Sequence, residues 1–159
     1  MLPPVDAMAY EHESIDIAAP PDTLYGLVSA IERMGEWSAE AVGGRWLDGG
    51  SGEVGDWFEG DNATPDRTWQ RRCQVASADP GKDFTFVVGG VEANCTWWSY
   101  EMAEIPGGTR LTERWWFVNK TEAMAAASPE QVAARVVKSR VMLTRTLAAL
   151  KEAAEAAPS

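Results

Sequence analysis

Residues 94–118 read NCTWWSYEMAEIPGGTRLTERWWFV. Two aromatic-rich segments flank Pro106-Gly107, and a proline–glycine pair between such segments marks a tight turn. With Pro106 and Gly107 as the turn residues, Trp97 pairs with Trp116, Trp98 with Trp115, Tyr100 with Glu113 and Met102 with Leu111. Side chains alternate along a strand, so the doublets Trp97-Trp98 and Trp115-Trp116 split between two faces. One face carries Trp98, Tyr100, Met102, Leu111, Glu113, Trp115 and Phe117. The other carries Trp97, Ser99, Glu101, Arg110, Thr112, Arg114 and Trp116. The first face is the more apolar and is expected to look inward.

The preceding segment behaves in the same way. A turn at Asp79-Pro80-Gly81-Lys82 pairs Val75 with Phe86 and Cys73 with Val88, and the same parity places Trp69 and Arg71 inward. Cys73 and Cys95 then fall on strands separated by a third, too far apart for a disulfide. From Val42 to Val118, short runs rich in Trp, Phe, Val and Thr alternate with turn clusters, which predicts six consecutive antiparallel strands.

Upstream, Glu13–Ala18 alternates polar and apolar residues and predicts a first strand. Asp22 is a candidate cap for a helix carrying Leu24, Leu27, Val28 and Ile31. Gly35 breaks that segment, and a short second helix is expected to about Ala41. Downstream, Ser128-Pro129-Glu130 opens a long helix, with Ser128 as N-cap and Pro129 at the first position, running to about Glu155. The expected class is α+β. A seven-stranded curved antiparallel sheet wraps around a long C-terminal helix, with two short helices between strands 1 and 2. Residues 1–10 are expected as a loose tail, 11–155 as one domain and 156–159 as a frayed end. A sheet of this size tends to curl, and one helix across its concave face leaves room for a cavity.

The composition narrows the function. The chain has 159 residues, 45% apolar and 24% charged, with a formal charge of −10. Residues 1–62 hold 13 acidic residues against Arg33 and Arg45, a balance of −11, whereas 63–159 hold 11 acidic and 12 basic residues, a balance of +1. That sign argues against nucleic acid as a partner. No apolar run is long enough for a membrane span, and the N-terminal residues do not read as a signal peptide, so a cytoplasmic location is expected. One histidine, His12, and two scattered cysteines argue against a metal centre or a Cys-His pair. No phosphate loop or dinucleotide fingerprint is present, and no cofactor is expected.

Chemistry must then rest on Glu, Arg, Tyr or Ser. The inward set includes Glu113 and Arg71, and a buried charge must be paired, hydrogen-bonded or hydrated. Glu113 with Tyr100 is the candidate polar pair. On the last helix, Val132, Val136, Leu143, Leu147, Leu150 and Ala154 form one stripe, interrupted by Ser139 and, at its edge, Arg140. Arg140 either snorkels to solvent or meets Glu113 or a ligand carboxylate. Arg135, Lys138 and Arg145 cluster on a different face, expected to be solvated. Trp97 and Trp116 form an outward cross-strand pair, and an interface between two copies through that face is a further expectation.

The segments Arg33-Met34-Gly35-Glu36-Trp37-Ser38-Ala39-Glu40, Phe58-Glu59-Gly60-Asp61-Asn62, Ala78-Asp79-Pro80-Gly81 with Phe84-Thr85-Phe86, Trp98-Ser99-Tyr100-Glu101 and Gly107-Gly108-Thr109-Arg110-Leu111-Thr112-Glu113 resemble an actinobacterial branch of the SRPBCC superfamily. Gly43-Gly44-Arg45-Trp46-Leu47, Val54-Gly55 and the closing helix segment Thr146-Leu147-Ala148-Ala149-Leu150-Lys151 continue the match, so that it spans about residues 11–155. That superfamily unites START lipid-transfer domains, the birch-pollen-allergen type and polyketide cyclases/aromatases. The resemblance implies a helix-grip fold and a cavity for lipids, polyketides or other small apolar molecules. It supplies no fixed catalytic set, since a shared fold does not give a shared chemistry. Two departures stand out. Ala39 replaces a usual Pro, and Glu59 and Asp61 replace common Arg. The second implies an acidic rim, unfavourable to an anionic ligand unless Arg71 or Arg140 compensates.

The expected ligand-binding residues are Trp37, Phe58, Trp69, Arg71, Phe86, Trp98, Tyr100, Glu113, Trp115, Arg140 and Leu143. Three functions stay open: a binding or carrier module for a hydrophobic small molecule, a polyketide cyclase, aromatase or dehydratase using Glu113 and Tyr100, and an interaction or stress-related protein with a non-functional cavity.

Overall fold

A computed structural model of the chain describes residues 7–156. Seven strands form one antiparallel sheet: β1 (Ala9–Ile17), β2 (Ala41–Trp46), β3 (Trp57–Thr64), β4 (Arg67–Asp79), β5 (Asp83–Val88), β6 (Thr96–Ile105) and β7 (Gly108–Phe117). Their order across the sheet is β1-β7-β6-β5-β4-β3-β2. Six strands therefore follow one another by hairpins, and β1 closes the far side against β7. Between β1 and β2 lie helix α1 (Pro21–Val28) and a 3-10 helix (Ile31–Glu36), and α2 (Pro129–Ala156) ends the described chain.

The hairpin register is the one expected from Pro106-Gly107. Ile105 pairs with Gly108, Tyr100 with Glu113, and Trp98 with Trp115. Gly107 takes a φ of 82°, which only glycine adopts freely. On β4 and β5, Cys73 pairs with Val88 and Val75 with Phe86, and a bulge follows between Val75 and Ser77. The bulge lies beyond Trp69, Arg71 and Cys73, so these keep their parity. Both cysteines are free and buried.

Several local expectations are corrected. β1 begins at Ala9, inside the stretch read as a tail, because residues 9–12 pair with Phe117 to Arg114. Residues 1–6 and 157–159 lie outside the described residues. Asp22 does not cap α1. Pro20 is the N-cap, with Pro21 at the start and Asp22 in the first turn. The second short helix is a 3-10 segment that ends at Glu36, and Ala41 already belongs to β2. Gly35 sits within that segment because a Cβ there would come 2.8 Å from the Val42 carbonyl oxygen. At α2 the capping box is complete: the Ser128 amide donates to Gln131 Oε1 (2.7 Å) and the Gln131 amide donates to Ser128 Oγ (3.2 Å).

The concave face is filled at one end. Ile17, Leu24, Val28, Ile31, Phe84, Met102, Leu111, Leu147 and Leu150 form a continuous core between sheet, α1 and the C-terminal half of α2. Each such side chain contributes roughly 1.5–3 kcal/mol by leaving water. The convex face carries a second cluster of Ala76, Val87, Trp97, Trp116 and Val118. Trp97 and Trp116 do pair across β6 and β7, but they are 0% and 7% exposed. Tyr10 stacks on Trp116 at 5.2 Å, and the Trp97 indole donates to Asn94 Oδ1. Among the described residues both indoles are therefore covered, and Tyr10 is the exposed aromatic of this stack.

Candidate functional site

The other end of the concave face is open. A cavity of about 400 Å³ lies between the sheet and the N-terminal half of α2, within the ~300–1,000 Å³ of ordinary small-molecule sites. Its floor comes from alternate positions of consecutive strands: Phe58, Gly60 and Asn62 of β3, Trp69, Arg71 and Cys73 of β4, Phe86 and Val88 of β5, Trp98 and Tyr100 of β6, and Glu113 and Phe117 of β7. Phe58 and Phe86 meet edge to face at 5.2 Å, and Trp46 packs on Phe58 from outside the cavity at 5.5 Å. The roof comes from Gln131, Arg135, Lys138, Met142 and Thr146 of α2. Spacings of four, three, four and four residues put these on one helix face.

Glu113 is the most unusual group in the cavity. It is 1% exposed. Tyr100 is its cross-strand partner. Burial pushes the carboxyl well above the ordinary carboxylate range; the Tyr100 hydroxyl opposes this and the nearby Glu13 adds to it. The Tyr100 hydroxyl is also pushed well up, by burial first and then by Glu113. Among the described residues no cation pairs with Glu113, and its Oε2 has no hydrogen-bond partner. Burial therefore disfavours the ionised form of this carboxyl. Thr121 Oγ1, also in the lining, is likewise buried without a partner.

The mouth is cationic. Glu40 is buried and accepts from Arg135 Nη1 at 3.2 Å and pairs with Lys138 Nζ. Burial raises its pKa, but the two cations outweigh this and hold the carboxyl below its usual range. Among the described residues, Arg71 donates only to the Gln70 carbonyl (2.9 Å). Burial lowers its pKa first, and repulsion from Arg67 and Arg135 lowers it further. Arg67 lies 4.3 Å over the Trp69 ring. Burial pushes the Cys73 thiol up to about 12, against a small opposing effect of Arg71, so Cys73 is an inert wall residue rather than a nucleophile.

Eight of the eleven expected site residues line this cavity: Trp37, Phe58, Trp69, Arg71, Phe86, Trp98, Tyr100 and Glu113. Trp37 also belongs to the core. Trp115 and Leu143 do not line it. They pack with Phe117 in a buried cluster beside it. Arg140 lies elsewhere. It is exposed and pairs with Glu11 of β1 at 2.6 Å, because that face of α2 runs along β1. It reaches neither Glu113 nor the cavity lining. The rim is not acidic either. Glu59 and Asp61 have the opposite parity from Phe58 and Gly60, and pair with Arg45 and Arg72 away from the cavity. Arg135 and Lys138 were expected to be merely solvated, yet they line the mouth and grip Glu40. The helical spacing of Gln131, Arg135, Lys138, Met142 and Thr146 was the available signal.

Comparison with known proteins fits this architecture. The family model described as polyketide cyclase / dehydrase and lipid transport matches residues 9–155. The chain belongs to that family, within the SRPBCC superfamily. The solution NMR structure of the Polyketide_cyc-like protein Cgl2372 from Corynebacterium glutamicum is 34% identical, with a TM-score of 0.67, covering 91% of this chain and 90% of that one. The di-domain ARO/CYC StfQ from the steffimycin biosynthetic pathway is 16% identical, with a TM-score of 0.70, covering 92% of this chain and 50% of that one. Ara h 8.0201 is 13% identical, with a TM-score of 0.61, covering 89% and 97%. The last two likenesses show the fold alone. Among curated proteins, none matches the chain significantly. No helix among the described residues is long and apolar enough to cross a membrane.

Proposed function

We propose that the chain binds a hydrophobic small molecule, a lipid, polyketide or aromatic metabolite, in the cavity between the sheet and α2. The observation that carries this is an aromatic-walled space of about 400 Å³ into which side chains bring buried polar atoms, Glu113 Oε2 and Thr121 Oγ1, that have no partner among the described residues. An unpaired buried polar group costs about 1–3 kcal/mol. A ligand that hydrogen-bonds there recovers that cost, while its apolar body covers Phe58, Phe86 and Trp98. The family's printed description, which includes lipid transport, supports the reading. In this reading the protein works in the cytoplasm, in keeping with two free cysteines.

The test is native mass spectrometry of protein purified gently from its own host. An apolar adduct at one copy per chain, lost on denaturation, is expected. A clean apo mass, with tryptophan emission indifferent to fatty acids and aromatic polyketides, would contradict the reading.

A second reading is favoured by one observation, the buried carboxyl of Glu113 beside its cross-strand partner Tyr100 in the cavity lining, where burial raises its pKa. Held in a folded pose, a poly-β-ketone chain needs little more than a proton donor and acceptor to cyclise or dehydrate. The protonated Glu113 gives its proton to a departing hydroxyl, water leaves, and the carboxylate takes back the α-proton. Glu113→Gln would abolish turnover of a poly-β-ketone analogue. Unchanged turnover would remove Glu113 from the mechanism.

A further inference from the structure

We infer that the cavity's ligand is an amphipathic anion, an apolar body bearing one oxyanion group that Arg71 and Arg67 hold at the mouth. The inference deepens the binding reading and rests on it.

The chain as a whole is strongly acidic, at −10, yet its cavity has the opposite sign. The charged residues of the lining are Arg67, Arg71, Arg135 and Lys138 against Glu40 and Glu113. Glu113 lies buried on the sheet side of the cavity, where burial disfavours its ionised form. Glu40 is already engaged by Arg135 and Lys138. Arg71 and Arg67 remain, and neither makes an ion pair among the described residues. Arg71 is half-buried and crowded by like charges from Arg67 and Arg135, which the more weakly acting Cys73 and Glu40 only partly offset. A guanidinium in that setting gains most from an oxyanion, which it can grip through two parallel N–H donors. The carboxylates that could have competed, Glu59 and Asp61, point to the other side of the sheet and pair there.

The cavity is thus polarised. Its mouth favours negative charge, its walls are aromatic, and its buried polar atoms include those of Tyr100, Glu113 and Thr121. An apolar cation meets repulsion at the mouth, and a neutral hydrocarbon leaves Arg71 unmatched. The surrounding negative charge of the protein slows approach of anions from a distance, so selection comes from close contact rather than long-range steering.

Two fluorescent probes separate the possibilities. 1-Anilinonaphthalene-8-sulfonate and N-phenyl-1-naphthylamine share one aromatic skeleton and differ by the sulfonate. At low ionic strength the sulfonate probe should bind the wild type about tenfold or more tightly than the neutral one. Arg71→Gln should erase that preference. Arg67→Gln should reduce it partly, which keeps the test available if Arg71→Gln misfolds. Equal binding of both probes, or an undiminished preference in both variants, would overturn the anion inference while leaving the cavity reading intact. If neither probe binds, the cavity reading fails and the inference fails with it.

Discussion

The Tyr100 and Glu113 side chains are cross-strand partners on β6 and β7, both buried, with no cation in ion-pair contact with Glu113 among the described residues. Burial there favours the protonated carboxyl. The pair presents a polar end to an otherwise aromatic cavity, and the consequence can be measured through pH.

Glu113 has a raised folded-state pKa. Above the unfolded carboxyl's pKa the unfolded chain releases this proton and the folded chain retains it, so stability falls as pH rises until the folded pKa is passed. The slope for one group is about 1.4 kcal/mol per pH unit. Glu113→Gln removes it. Urea denaturation at pH 5 and pH 8 should show the variant gaining on the wild type at the higher pH. A difference independent of pH would mean that Glu113 is ionised in the folded protein.

Glu40 behaves in the opposite way. Its folded-state pKa is lowered because Lys138 and Arg135 outweigh burial. Its contribution is present above the unfolded carboxyl's pKa and is lost as pH falls through the lower, folded one. Glu40→Gln should cost roughly 1–3 kcal/mol at pH 7, shrinking below about pH 4. The same variant frees Arg135 and Lys138 at the mouth, so binding of the sulfonate probe should tighten. An equal cost at pH 3 and pH 7 would count against the ion pairs as its source.

Ser139 lies in the middle of α2, fully buried, and its Oγ has no hydrogen-bond partner. Ser139→Ala removes a desolvated hydroxyl and improves helix propensity, so it should stabilise by about 1 kcal/mol. Thermal melts check this. A loss of stability would reveal a partner for the hydroxyl, such as a bound water.

Gly108 opens β7 where the chain passes the end of β1. A Cβ there would fall inside the carbonyl oxygen of Ile17, which is backbone and cannot swing aside. Gly108→Ala should therefore destabilise by about 3 kcal/mol, whereas Gly107→Ala meets no neighbour and suffers only from its positive φ. Comparable melts for the two variants would contradict the close approach.

The strand pattern carried most of the fold because period-2 alternation around a proline–glycine turn admits one parity, and that parity assigned Trp69, Arg71, Tyr100 and Glu113 to the cavity face. It also placed Trp97 and Trp116 opposite, but it could not show that Ala76, Val87, Val118 and Tyr10 cover them. Burial on a convex face depends on tertiary neighbours. Arg140 was misplaced for a similar reason. Helical period gives the angle between side chains but not which neighbour each angle meets, and the face bearing Arg140 lies against β1 and Glu11. Glu40 was legible only as part of a family-like segment. Its role depends on α2 bringing Arg135 and Lys138 to it, which nothing local to residues 38–41 encodes.

The most direct measurement follows the indole N–H signals of the eight tryptophans by two-dimensional NMR as the sulfonate probe is added. Trp69 and Trp98 line the cavity, whereas Trp97 and Trp116 belong to the opposite face. The account predicts saturable shifts of the Trp69 and Trp98 signals, with Trp97 and Trp116 unmoved. Shifts confined to Trp97 and Trp116, or no shift at any indole at saturating probe, would contradict it.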